Sequence, residues 1–295
     1  MEYGRAIVSI PINHSPGNLE LPNLWKLERR ADPNKHFIVK SVSPLHGDAA
    51  LKEMSEALQR SAGKALLIFV HGYNTSFDEA AMRTAQLVYD VKFPGVPLFF
   101  SWPSADRATS YFHDADAAEL SEGRFEQLLE QLSHLPPTDI YVIAHSMGNR
   151  IVTKSIRARI EKGQDTSRLK ELLLAAPDIS ADLFRTVIAP RLAQMQGTRT
   201  TVYASSNDLA LRASSLLHQY TRVGETSPTV FVYPRIETID ASGVSLVNRG
   251  YGHTYIMDSA AVLNDIRLLL QRRVPAKDRG LSEVGRVPNL YWKFP

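Results

Sequence analysis

The stretch IYVIAHSMGNRIV (Ile140–Val152) changes character twice within one short span. Ile140 to Ala144 form an unbroken apolar run, as expected of a strand buried on both faces of a parallel sheet. A small polar turn follows, and from Gly148 onward apolar residues recur at helical spacing. A chain that passes from strand to helix in so few residues lifts the residue at the turn above the sheet edge. Here that residue is Ser146, in Ala-His-Ser-Met-Gly (Ala144–Gly148). This is the pattern of a nucleophile elbow, in which small residues two before and two after the serine let neighbouring backbone pass. Gly148 meets that need, and Ala144 adds only a methyl group. A serine N-cap at an ordinary strand–helix junction would look the same locally, so the rest of the chain has to decide.

Working outward, similar apolar runs recur: ALLIFV (Ala65–Val70), VPLFF (Val96–Phe100), ELLLAA (Glu171–Ala176) and RTTVYA (Arg199–Ala204). Helical patterns separate them. SFDEAAMRTAQLVYDV follows the first run, with Ser76 and Glu79 as a capping box. AAELSEGRFEQLLEQLSHL follows VPLFF, GNRIVTKSIRARIEKG follows IYVIA, SADLFRTVIAPRLAQM follows ELLLAA, and DSAAVLNDIRLLLQRR (Asp258–Arg273) comes last, with Asp258 or Ser259 as its N-cap. Strand–helix alternation predicts an α/β fold with a mostly parallel central sheet and helices on both faces. AIVSIPI (Ala6–Ile12) and HFIVKSVSPL (His36–Leu45) alternate like an antiparallel edge pair, joined by a loop rich in Pro, Asn and charge. The expected organisation is one domain over residues 1–273, with an irregular tail, 274–295, docked on the body through Tyr291, Trp292 and Phe294.

The totals narrow the function classes. The chain has 295 residues, 44% apolar and 22% charged, which suits a globular α/β domain. Lys and Arg number 34 against 31 Asp and Glu, with no basic cluster interleaved with aromatics, so nucleic acid is not an expected partner. With no cysteine there is no disulfide, thiolate metal site or cysteine nucleophile. No run of about 18 apolar residues suggests a membrane span, and the N-terminus does not read as a signal peptide. The chain is expected to be soluble, cytoplasmic as written or exported had a leader been removed. No phosphate loop, dinucleotide fingerprint or metal-ligand spacing is present, so no cofactor or metal is implied.

In such sheets the chemistry sits at the carboxyl ends of the strands. After the first core strand comes FVHGYN (Phe69–Asn74). An acyl-transfer site needs two preorganised N–H donors for an oxyanion. In elbow enzymes one is the residue after the nucleophile, here Met147, and the other comes from a His-Gly type loop, here Tyr73 in His71-Gly72-Tyr73. Serine needs a base, and a late histidine fits: His253, in NRGYGHTYIMDS, with Gly250 and Gly252 allowing the loop to bend. His145 neighbours the nucleophile and is expected to point elsewhere. The carboxylate that orients the imidazole should lie between serine and histidine. Asp208, after TTVYASSN, is favoured, and Asp178, after LLLAAP, is the alternative, unless it caps the helix near Ser180.

FVHGYNTSF, FFSWPS, AHSMGNR, LLLAAPDI, YASSNDLAL and GHTYIMDS, in this order, resemble a bacterial α/β-hydrolase family catalogued as a domain of unknown function (DUF900). The resemblance runs from roughly Tyr3 to Leu270. It implies an α/β-hydrolase fold and ester hydrolysis, with Ser146 as nucleophile, Asp208 as acid and His253 as base.

Trp102, at the end of the LFFSWPS strand, and His71 are candidate pocket residues. The charged stretch from Ala105 to Ala118 reads as a solvated loop or a short lid, and Arg150 as a surface ion-pair residue. Without long apolar insertions, short-to-medium acyl groups are favoured. The expected function is a serine carboxylesterase whose partner is a small-molecule ester. A thioesterase, acyltransferase or peptidase using the same triad, or a silent hydrolase-fold binding protein, are the alternatives. Nothing in the sequence sets an oligomeric state.

Overall fold

The computed structural model describes residues 1–22, 30–136, 138–246 and 252–295. Parts of the loop between the first two strands and of the loop before His253, including Gly250, lie outside the described residues. In chain order the strands are β1 (Tyr3–Ser9), β2 (Ile38–Leu45), β3 (Ala65–Val70), β4 (Val96–Phe100), β5 (Asp139–His145), β6 (Leu169–Ala175), β7 (Arg199–Ala204), β8 (Ile236–Asp240), β9 (Ser282–Val284) and β10 (Tyr291–Lys293). The helices are α1 (Gly47–Arg60), α2 (Phe77–Asp90), α3 (Tyr111–Ser133), α4 (Gly148–Glu161), α5 (Ala181–Leu183), α6 (Ala189–Leu192), α7 (Leu209–His218), α8 (Tyr255–Asp258) and α9 (Ala260–Arg272).

The main sheet has the order β4-β3-β5-β6-β7-β8-β10-β9. Its pairings are parallel from β4 across to β10, and only β9 runs antiparallel, at the edge. Four of the five apolar runs of the sequence, β3, β5, β6 and β7, lie inside it, and the fifth, VPLFF, is the edge strand β4. All six side chains of β3 are buried, as strands covered on both faces require. Alternate residues divide the core in two. Leu66, Ile68 and Val70 of β3 join Val142 and Ala144 of β5 and Leu172 and Leu174 of β6, under Leu128 of α3 and Ile151 and Ile156 of α4. Leu67, Phe69, Ile143 and Leu173 face the other way, against Leu87 of α2 and Val262, Ile266 and Leu269 of α9. The period of two is what lets each strand serve both layers.

The mostly parallel sheet with helices on both faces is as expected, but its antiparallel parts sit differently. β1 and β2 pair with each other, Tyr3 opposite Leu45, and form a separate two-stranded sheet. The antiparallel edge of the main sheet comes from the other end of the chain. The tail, expected to be irregular, turns through Ala276–Asp278 and adds β9 and β10, with Trp292 pairing Ile239. Buried Arg279 fixes it, with a guanidinium nitrogen 3.2 Å from Glu237 and another 3.3 Å from Asp265. Strands of three residues carry too little pattern to be read from sequence.

Two helices also depart from expectation. The stretch expected to be a solvated loop is helical from Tyr111, and its Asp114 is fully buried. The helix expected over Ser180–Met195 is interrupted by a π segment, Phe184–Ile188, just before Pro190. Proline has no N–H to donate, so the regular bonding pattern is interrupted there.

Candidate active site

β3, β5, β6 and β7 end side by side, and the residues just beyond them converge. Ser146 lies between β5 and α4 with φ of 51°, a left-handed conformation uncommon for any residue but glycine. Its N–H donates to Ala175 O at 2.9 Å, and its carbonyl accepts from Asn149 N–H at 3.1 Å and from the Asn149 side-chain amide at 2.9 Å. Surrounding structure therefore holds the strained turn in place. Gly148 explains how α4 fits. A Cβ there would lie 2.4 Å from His71 O and 2.7 Å from Val70 O, so only a bare backbone lets the helix start against the end of β3. Gly72 is the complementary case. A Cβ on it would lie 2.9 Å from the Ser146 Cβ, which puts the His71-Gly72-Tyr73 loop directly against the serine.

Asp208 caps α7. Its Oδ1 accepts from Leu211 N–H at 2.9 Å, which leaves Oδ2 for another partner. That partner is His253 Nδ1, at 2.7 Å. The carboxylate can only accept, so Nδ1 carries a proton and, in the neutral ring, Nε2 is bare. His253 Nε2 is buried and has no hydrogen-bond partner among the described residues. Burial alone would lower the His253 pKa. The charge of Asp208 and its hydrogen bond, with Asp178 farther off, outweigh burial and raise it above the ordinary histidine value. Gly252, at φ 70°, takes the turn into His253.

Asp178, the alternative acid, has other partners. Its Oδ2 accepts from Tyr111 OH at 2.5 Å and from the Arg150 guanidinium at 3.0 Å. Its Oδ1 accepts from Ser214 Oγ at 2.7 Å and lies 3.2 Å from Arg222 Nε. Burial would raise its pKa, but the two arginines outweigh that and hold it below the usual carboxylate range. Arg150, expected on the surface, is thus drawn in toward the site, and Ser180 rather than Asp178 caps the next helix.

The residues around the glycine loop act as its supports. His71 and Trp102, expected beside the pocket, are only 1% and 2% exposed. Their rings stack at 5.1 Å and 6°, the indole N–H donates to His71 O at 2.9 Å, and His71 Nδ1–H donates to Gly72 O at 2.8 Å. Burial pushes the His71 pKa down to about 4, so the ring is neutral. Asp114 was not singled out by the sequence. It accepts from Asn74 N–H at 3.0 Å, Ser104 Oγ at 2.6 Å and Ala105 N–H at 2.7 Å, tying the loop just after Tyr73 to α3. An acid inside a stretch read as loop gave no sign of this. Tyr73 packs its ring edge-on to Tyr111 at 5.4 Å, and Met147 is buried immediately before α4.

Ser146 follows β5 and Asp208 follows β7, so the elbow and the Asp208–His253 pair both lie at the carboxyl ends of the strands of one sheet. The sequence from residue 46 to 272 matches the family described as alpha/beta hydrolase of unknown function (DUF900). The chain belongs to this family. The match leaves out the β1–β2 sheet, so it is shorter at its start than the resemblance suggested. Family and sheet topology agree on an α/β-hydrolase fold. No curated protein matches the sequence. Among solved structures, an esterase from Pyrobaculum calidifontis is similar at 13% identity, covering 71% of this chain and 76% of that one, with a TM-score of 0.40. A structure titled as one of two fungal esterases from Rhizomucor miehei is similar at 14% identity, covering 70% and 74%, with a TM-score of 0.39. Phospholipase PlaB from Legionella pneumophila is similar at 14% identity, covering 77% and 68%, with a TM-score of 0.37. Likeness at this level says nothing about substrate. Among the described residues no helix is long and apolar enough to cross a membrane.

Proposed function

We propose that this DUF900 hydrolase is a serine carboxylesterase acting on small carboxylic esters of short to medium acyl length. Ser146 Oγ attacks the ester carbonyl while His253 Nε2 takes its proton. Asp208 keeps the imidazole in the Nδ1–H tautomer and stabilises the imidazolium. The N–H groups of Tyr73 and Met147 stabilise the oxyanion. His253 then returns the proton to the leaving alcohol, and activates the water that releases the acid. The observation that carries this reading is the His253 Nδ1–Asp208 Oδ2 hydrogen bond of 2.7 Å, with the buried Nε2 free of any partner among the described residues, in a chain whose elbow serine sits at φ 51°. The acyl range follows from the sequence, which places no long apolar insertion around the site.

The test is hydrolysis of p-nitrophenyl esters from acetate to long-chain acyl by the protein and by Ser146→Ala. Loss of a triad serine should lower kcat on the order of a million-fold. A chain-length profile that falls toward long acyl groups is expected. Equal rates for the two proteins would end the serine-esterase reading. Product analysis with a competing alcohol or thiol separates hydrolysis from acyl transfer.

A further inference from the structure

The residue before the nucleophile was expected to point away from the site, and it does not. His145 ends β5 and is buried. Its Nε2 lies 2.9 Å from the main-chain carbonyl of His253, and the two imidazole rings are 4.7 Å apart between centroids. A carbonyl only accepts, so Nε2 of His145 carries the proton and donates it. On its other side the ring meets the glycine loop. A Cβ on Gly72 would lie 3.1 Å from His145 Nδ1. One imidazole thus sits between the main chain of the base and the loop that carries Tyr73.

We infer that His145 is a positioning residue that holds the His253 main chain in register with Ser146 and the Gly72–Tyr73 loop. The inference rests on the esterase reading and adds a part to it. The Asp208 bond fixes one ring nitrogen of His253, but a ring held at one atom can still swing with its backbone. The bond from His145 supplies a second fixed point, at the carbonyl. Because His145 belongs to the same turn as Ser146, it ties the base to the nucleophile rather than to a distant element. Its neutrality matters as well. The titratable or charged groups that face it are His253, Arg83 of α2 and His71, and Arg83 is paired with Asp258 at 2.7 Å. Burial, with His253 next in weight, pushes the His145 pKa down to about 3. The ring therefore adds no positive charge beside the imidazolium that forms during turnover.

The test compares His145→Phe, which keeps a flat ring and removes the donor, with His145→Gln, whose amide presents a donor at similar reach. Four quantities are read: kcat and KM for p-nitrophenyl acetate, the thermal midpoint, and the low-field proton NMR resonance of His253 Nδ1–H. Misplacement of a catalytic group by about 1 Å costs on the order of a hundredfold. H145F should therefore lose about tenfold to a hundredfold in kcat, with KM little changed and the resonance broadened. H145Q should recover most of kcat and a sharp resonance. Wild-type kcat and resonance in H145F would overturn the role, and so would equal loss in H145F and H145Q, which would mean packing rather than donation. If H145F fails to fold, His145→Met supplies the donor-free comparison by the same criteria. If the unmodified protein cleaves no ester, the esterase reading falls by itself, and the resonances of the variants alone uphold or overturn the positioning role.

Discussion

Asp208 has two jobs, and a pair of substitutions should separate them. Its Oδ1 caps α7 through Leu211 N–H at 2.9 Å, and its Oδ2 holds His253 Nδ1 at 2.7 Å. Asparagine is as good an N-cap as aspartate, so Asp208→Asn should keep its oxygen on Leu211. That turns its NH2 toward His253 Nδ1. Two donors cannot face one another, so the imidazole moves its proton to Nε2, the atom that must accept the serine proton. The expected loss is about ten-thousandfold in kcat, the usual cost of a wrong tautomer in such a triad. Stability should hardly change. Asp208→Ala should lose as much catalysis and, lacking the cap, about 0.5–2 kcal/mol of stability. The pH profile gives a third reading. Only neutral His253 can act as base. Its pKa is raised because Asp208 outweighs burial. With Asp208 neutralised, burial dominates and the pKa falls, so the acid limb of the residual kcat/KM moves to lower pH. Ester hydrolysis and urea unfolding of both variants are the assays. D208N retaining kcat within about tenfold of the unmodified protein would refute the assignment, and a collapse in Asp178→Asn alongside it would transfer the role to Asp178.

Two other predictions concern buried carboxylates away from the reacting atoms. Asp114→Asn weakens the anchor beneath the loop after Tyr73, and should lower kcat about tenfold at near-constant KM while costing about 1–3 kcal/mol in urea unfolding; unchanged kcat would mean that the anchor does not position the loop. Glu171, in β6, is pushed up to about 7, by burial first and against the pull of Arg199 and Arg273. Its folded-state pKa lies above the unfolded value, so the protonated form favours folding. That contribution is complete below about pH 4.5 and is lost as pH rises through about 7, up to about 3 kcal/mol. Glu171→Gln should therefore flatten the fall in stability between pH 4.5 and 7.5, and parallel curves for the two proteins would contradict the shift.

How far the sequence could be read depends on whether the determining contacts are local. β3, β5 and β6 are legible because strands buried on both faces need unbroken apolar runs, and Ser146 is legible because the run stops and helix begins within a few residues. β8 was not legible: IETID carries Glu237 and Asp240, and Glu237 is tolerated there because it receives Ala276 N–H and Arg279 from the tail. A strand whose polar residue is satisfied by a segment 39 positions later leaves no local signal. The candidate site divides in the same way. Order along the chain singled out Ser146, Asp208 and His253. The contacts of His145, Asp114 and Arg150 cross between elements, so residue type alone misplaced the first and third and passed over the second.

The choice between the two candidate acids shows what geometry adds to order. Both carboxylates follow neighbouring strands and both are buried, so order along the chain favours Asp208 without excluding Asp178. Their hydrogen-bond capacity separates them. A carboxylate offers about four lone-pair sites. Asp178 spends its sites on Tyr111, Arg150, Ser214 and Arg222. To serve as the triad acid it would have to give up one of these partners and leave a buried polar or charged group short of a bond, which costs about 1–5 kcal/mol. Asp208 meets one backbone N–H and one imidazole, and no arginine competes for it among the described residues. Its charge is therefore available to the imidazolium, whereas two guanidinium groups compensate that of Asp178. Asp178 instead joins α3, α4 and α7 around the site through Tyr111, Arg150 and Ser214, the last on the helix that Asp208 caps. In the proposed mechanism one carboxylate is left open to act on the base, and the other is closed to hold the frame around it.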